Sequence, residues 1–109
     1  PANMKMIFDQ ITEENVKICW NCNDQDLVEP GLEHNFNLLN PWFGKTVHVR
    51  EFNEGDYPYS QLFDLFTAMD YSGLILLEAR TQPEDRVAAM IEQKALMQQM
   101  IANSQTKLG

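Results

Sequence analysis

The chain is poor in cysteine, in basic residues and in long apolar runs, and each shortage closes off a class of protein. Two cysteines in 109 residues cannot build the disulfide framework of a small secreted domain. Eight Lys and Arg against sixteen Asp and Glu leave a net charge of −8. No stretch gathers the bases, so the chain lacks the footprint that holds phosphate backbones or anionic membrane surfaces. Neither nucleic acid nor a membrane is an expected partner. No apolar run approaches the roughly 18 residues that span a bilayer, and Leu74 to Leu77 is only a strand's length. From Pro1 onward there is no basic or apolar targeting stretch, so any native signal or leading domain is expected outside this sequence. A Gly-rich phosphate loop and a G-x-S-x-G nucleophile elbow are both missing, and nothing supports a Ser/His/Asp triad. What remains, 44% hydrophobic and 22% charged with five Gly and five Pro, is an ordinary globular composition with room for one domain at most.

Three short apolar segments stand out: residues 15–20 (Asn15 to Trp20), 46–50 (Thr46 to Arg50) and 73–78 (Gly73 to Glu78). Each is rich in Val, Ile or Leu and is bounded by polar or turn-forming residues, the pattern of strands buried on both faces in a parallel sheet. Their polar ends recur at Asn21, His48 and Glu78, 27 and 30 residues apart. That spacing leaves room for one crossover helix each time, as parallel pairing requires.

The intervening segments read as helices. Met4, Ile7, Phe8 and Ile11 fall at i, i+3, i+4 and i+7. Leu32 to Leu39 is a shorter helix stopped by Asn40-Pro41, because the residue before proline is pushed out of the α region. Leu62, Phe63, Phe66 and Met69 form a stripe after Pro58. A long helix is expected from about Pro83 to Asn103, capped by Thr81 and Glu84. Val87, Met90, Ile91, Ala95, Met97 and Ile101 should be its apolar face, and the tail from Ser104 should fray. The order is α–βα–βα–βα: an α/β protein with a parallel sheet. At this period an eight-unit barrel needs about 250 residues, so 109 residues make either a small doubly wound domain or the C-terminal part of a barrel.

In parallel α/β architectures ligands gather beyond the carboxyl ends of the strands. Those ends carry Asn21, Asn23 and Asp24, then His48, Arg50 and Glu51, then Glu78 and Arg80. Alternation places Cys19 with Asn21, Thr46 with His48 and Arg50, and Leu76 with Glu78, each set on one face of its strand. The expectation is that Asn21, His48 and Glu78 face a common cavity, where an imidazole and a carboxylate can bind a divalent metal or move protons. Glu78 is the most telling, since a charge directly after Leu74 to Leu77 is costly to bury without a partner. Polar strand ends are also simply where a chain meets water. Arg50 and Arg80 could anchor a hydroxylated or anionic substrate, or form ion pairs with Glu51 or Glu78. Cys19-Trp20-Asn21-Cys22 is formally C-x-x-C, but a redox pair wants a helix N-terminus. Zinc spacing fails because His48 comes fourteen residues after His34. Cys19 is therefore expected to be a small core residue, and Trp20 to pack with Ile18 and Val16 against helices. Trp42, Phe43, Tyr57 and Tyr59 are expected to pack within loops rather than stack on a sugar.

Together these residues resemble a known family. Val16 to Asp24 is similar to the sixth-strand region of xylose-isomerase-like TIM barrels, the sugar phosphate isomerase/epimerase group. Val47-His48-Val49-Arg50-Glu51 resembles its seventh-strand His motif. Tyr57-Pro58-Tyr59, Leu62-Phe63 and Tyr71-Ser72-Gly73 resemble its seventh helix and the approach to the eighth strand, and Leu76-Leu77-Glu78 its terminal-strand Glu. The resemblance implies that residues 1–109 are a single partial domain, the last three βα units of a (β/α)8 barrel plus the preceding helix. It implies a metal-dependent sugar isomerase or epimerase, with a non-catalytic carbohydrate-binding protein on the same scaffold as the alternative. His48 and Glu78 would be ligands to Mn²⁺, Mg²⁺ or a similar ion, with Glu78 also the catalytic base. The family's sixth-strand motif is an Asp followed three residues later by His, and here those positions read Asn21 and Asp24. Asp24 is then the substitute ligand, and Asn21, Arg50 and Arg80 are substrate contacts. The implied partners are a small sugar and either further copies of the chain or the rest of the barrel.

Overall fold

Residue order and hydrogen-bonding capacity account for most of the elements in the computed structural model, which describes residues 1–108. In chain order these are α1 (Ala2–Phe8), β1 (Ile18–Asn21), α2 (Leu32–Leu39), β2 (Phe43–Val49), α3 (Tyr59–Ala68), β3 (Leu74–Leu77) and α4 (Arg86–Leu108). The strands form one three-stranded parallel sheet in the order β1-β2-β3. The α/β reading is therefore correct. The chain divides into two compact units, Pro1–His48 with Ser72–Leu76, and Val49–Tyr71 with Leu77–Gly109.

In the first unit α2 ends where the sequence says it should, with Asn40 and Pro41 entering a short 3-10 turn. Gly31 precedes it at φ 121, a backbone angle that a side chain at this position would resist. The register of β1 on β2 pairs Ile18 with Phe43, Trp20 with Val47 and Asn21 with His48. Between the first two pairings β2 carries two more residues than β1, a bulge. Gly44 sits there, and a Cβ on it would come within 3.2 Å of the Lys17 Cβ. This bulge sets Asn21 opposite His48.

The core of this unit is aromatic. Trp20 meets Phe36 and Phe43 at centroid distances of 5.5 Å, and Phe36 and Phe43 meet edge to face at 5.1 Å. Phe8 packs on Trp42 at 6.1 Å. The indole N–H of Trp20 is buried with no acceptor among the described residues. Asn35 is also buried, and its amide donates to the carbonyls of Asp26 and Val28.

Several expectations need correction here. The strands are not buried on both faces: β1 alternates, with Ile18 and Trp20 inside and Cys19 exposed, and Leu74, Leu76 and Leu77 of β3 are all exposed. Val16 is exposed too, so only Ile18 and Trp20 pack as expected. The buried thiol is that of Cys22, and neither cysteine forms a disulfide among the described residues. The predicted α1 stripe is largely wet, with only Phe8 buried. A sheet of three strands has too little cover to bury every branched side chain it carries.

In the second unit α3 presents Leu62, Phe63 and Phe66 inward, as predicted. Phe63 lies within 6 Å of both Phe52 and Phe66. The reading of α4 needs correction at three points. Thr81 and Glu84 do not cap it; the Asp85 carboxylate accepts the Ala88 N–H instead. Its buried positions are Gln93 and Ser104, while Val87, Met90 and Ile91 are exposed. Its end does not fray at Ser104 but stays helical to Leu108, and only Gly109 of that tail lies outside the described residues. Gln93 accepts the Phe52 N–H at 2.8 Å and donates to Asn53 at 2.8 Å. Ser104 donates to Asp64 at 2.6 Å, and with Lys107 it holds the Asp64 carboxyl below its ordinary pKa despite partial burial. Hydrogen bonds fully satisfied in this way make polar burial tolerable.

Candidate functional site

The residues singled out at the strand ends fall into two groups, one in each unit. In the first, the Asn21 amide donates to the Cys19 carbonyl at 3.3 Å, which turns its Oδ1 towards His48. The distance from that oxygen to His48 Nδ1 is 3.0 Å. An amide oxygen only accepts, so Nδ1 carries the proton, and in the neutral ring the lone pair sits on Nε2. A ring nitrogen oriented this way by its neighbour can accept a proton or ligate a metal. Thr46 and Cys19, one step earlier on the same faces, stand 3.6 Å apart. The predicted shared face of β1 and β2 is therefore real. Asp24 lies beyond it, exposed, in the short 3-10 helix Asp24–Leu27. The buried acid of that helix is Asp26, which accepts the Asn23 N–H at 2.9 Å.

In the second unit Glu78 is tied to the end of β2. Its N–H donates to the Val49 carbonyl at 2.8 Å. Arg50 Nη1 stands 3.1 Å from the Glu78 carboxylate and 3.3 Å from its carbonyl oxygen. The Arg50 N–H in turn donates to the Tyr59 hydroxyl at 2.9 Å, so Tyr59 is a buried packing residue against Phe52. The premise that Glu78 is buried is corrected: its side chain is 54% exposed. Arg80 contributes a backbone N–H, not its guanidinium, to the contacts described next.

The buried carboxylate is that of Glu51, 5% exposed. It accepts the Arg80 N–H at 2.9 Å, the Thr81 N–H at 2.8 Å and the Thr81 hydroxyl. Burial acts to raise its pKa, but the Thr81 hydroxyl and the two backbone N–H groups outweigh burial and hold it at about 2. A carboxylate with a depressed folded-state pKa stabilises fully above its ordinary value of 4.5 and loses that contribution as pH falls towards 2. The contribution is at most about 3 kcal/mol. Glu51→Gln is therefore expected to flatten the fall in stability between pH 4.5 and pH 2, as followed by urea unfolding. An acid limb identical to the wild type's would remove Glu51 as its source. A cavity of about 490 Å³ opens beside this carboxylate, lined by Thr81, Leu77, Asn53, Met90 and Gln93 among others.

Sequence reasoning placed Glu51 only as a possible partner of an arginine. Its actual partners are two main-chain donors and one hydroxyl, 29 and 30 residues away, which no local side-chain pattern advertises. Among the described residues no three His, Cys, Asp or Glu side chains are gathered so as to hold a metal ion. Comparisons with protein-family models, curated proteins and solved structures find no match to the chain.

Proposed function

We propose that the chain is the C-terminal part of a (β/α)8 barrel that isomerises or epimerises a sugar by proton transfer beside a carbonyl. The observation that supports this reading is that polar strand ends are held by neighbouring polar groups: His48 by Asn21, and Glu78 by Arg50. In this reading Glu78 takes the proton from the carbon next to the carbonyl. The electrons of that C–H bond become the double bond of an enediolate, and the carbonyl oxygen takes up the negative charge. Return of the proton to the former carbonyl carbon, with the neighbouring hydroxyl proton passing to the oxyanion, converts aldose to ketose. Delivery of a proton from water to the opposite face of the original carbon, with collapse of the oxyanion back to the carbonyl, epimerises it. Arg50 orients the Glu78 carboxylate, with the Arg80 guanidinium available to an anionic substituent of the sugar. Preorganised charge and donors of this kind stabilise the developing oxyanion.

No step is assigned to a metal. The experiment incubates the protein with aldoses, ketoses and their phosphates in D₂O and follows carbon-bound deuterium by NMR, with EDTA or with Mn²⁺ and Mg²⁺. Exchange into one class of sugar is the expected result, and its response to the ions decides whether a metal belongs to the reaction. Saturable binding of sugars without exchange would favour a non-catalytic carbohydrate-binding protein instead.

A further inference from the structure

Three consecutive residues at the end of β2 grip the chain that follows β3. The Val49 carbonyl holds the Glu78 N–H, Arg50 holds the Glu78 carbonyl and carboxylate, and Glu51 holds the N–H groups of Arg80 and Thr81. The three grips differ in kind. The Arg50 contact lies partly in water, where an ion pair is loose, and the Val49 contact is one ordinary peptide bond pair. Glu51 alone is buried, charged and met by three donors, so charge-assisted hydrogen bonds fix the segment most firmly there. Residue 79 is the only one between the segment it fixes and Glu78.

We propose that Glu51 is a positioning residue for Glu78: by anchoring Arg80 and Thr81 it fixes the backbone from which the Glu78 carboxylate projects. This rests on the reading of Glu78 as the base. Loss of the anchor lets residues 78–81 swing, and a base that is correctly placed for only part of the time lowers the rate of the proton transfer more than it weakens substrate binding.

Glu51→Gln is the direct test, but it sets an amide NH₂ against backbone N–H donors and risks misfolding. Thr81→Val removes only the hydroxyl, keeps the side chain's shape and leaves both backbone donors in place. Thr81→Ser restores the hydroxyl. Two readouts apply to the three proteins: steady-state kcat and KM on the sugar that exchanges, and amide hydrogen exchange at Glu78, Arg80 and Thr81. In Thr81→Val we expect kcat to fall about tenfold at nearly constant KM, and the Glu78 amide to exchange about tenfold faster. Thr81→Ser should recover both. The Glu78 amide is the decisive probe because its acceptor is Val49, not Glu51. Faster exchange confined to Arg80 and Thr81, with the Glu78 amide and kcat unchanged, would show a purely local anchor and overturn the inference. If the wild type exchanges no sugar proton at all, the reading of Glu78 as a base fails, while the Glu78 amide still shows whether Glu51 holds that backbone in place.

Discussion

Phe36→Ala is expected to lower the stability of the protein by about 3–5 kcal/mol, the range found when a fully buried Phe becomes Ala. Phe36 is 1% exposed and touches both Trp20 and Phe43 edge to face. Its removal takes away the transfer free energy of one ring and two aromatic contacts, with Trp20 and Phe43. Marginally stable proteins of this size hold roughly 5–15 kcal/mol in total. The substitution should therefore remove a large share of that stability and shift the urea midpoint well below the wild type's. Ile7→Ala, at an exposed position of α1, should change the same curve by less than about 0.5 kcal/mol. If the two variants behave alike, the aromatic cluster is not what holds this unit together.

Glu78→Gln is expected to lower the sugar-dependent exchange of deuterium by about a thousandfold, in the middle of the range for loss of a general base. Gln keeps an oxygen for Arg50 to bind at the same distance, so the local geometry survives while the ability to take a proton is lost. The Arg50 pair is half exposed on the Glu78 side, and such pairs contribute at most about 1 kcal/mol. The urea midpoint should thus stay within error of the wild type. An exchange rate that survives the substitution would take Glu78 out of the reaction. A large loss of stability instead would recast Glu78 as a structural residue.

Much of the fold was legible because it depends on neighbours in sequence. The stop of α2 at Asn40-Pro41, the inward face of α3 and the three strands all follow from local geometry and from apolar spacing. The face of α4 was not legible, because spacing rules count apolar residues and this helix buries amide and hydroxyl groups. Gln93 and Ser104 earn burial from Phe52, Asn53 and Asp64, all about 40 residues away. Thr81 misled for a related reason. Its hydroxyl could cap a helix, but an ionised carboxylate 30 residues earlier competes for it and is the stronger acceptor. At the strand ends alternation correctly matched Asn21 with His48, since the pleat alone decides it. It misjudged which acid is buried, because that depends on how the backbone after β3 turns back towards Glu51. The barrel and the sugar chemistry came from resemblance, and they remain with the proposal.

The division of the chain also sorts its chromophores. Both tryptophans, Trp20 and Trp42, lie in the first unit, and all three tyrosines, Tyr57, Tyr59 and Tyr71, lie in the second. Fluorescence excited at the red edge, where only indole absorbs, therefore watches one unit alone, and the phenol bands of near-ultraviolet circular dichroism watch the other. Without any label, the molecule can report whether its two units melt together or one after the other.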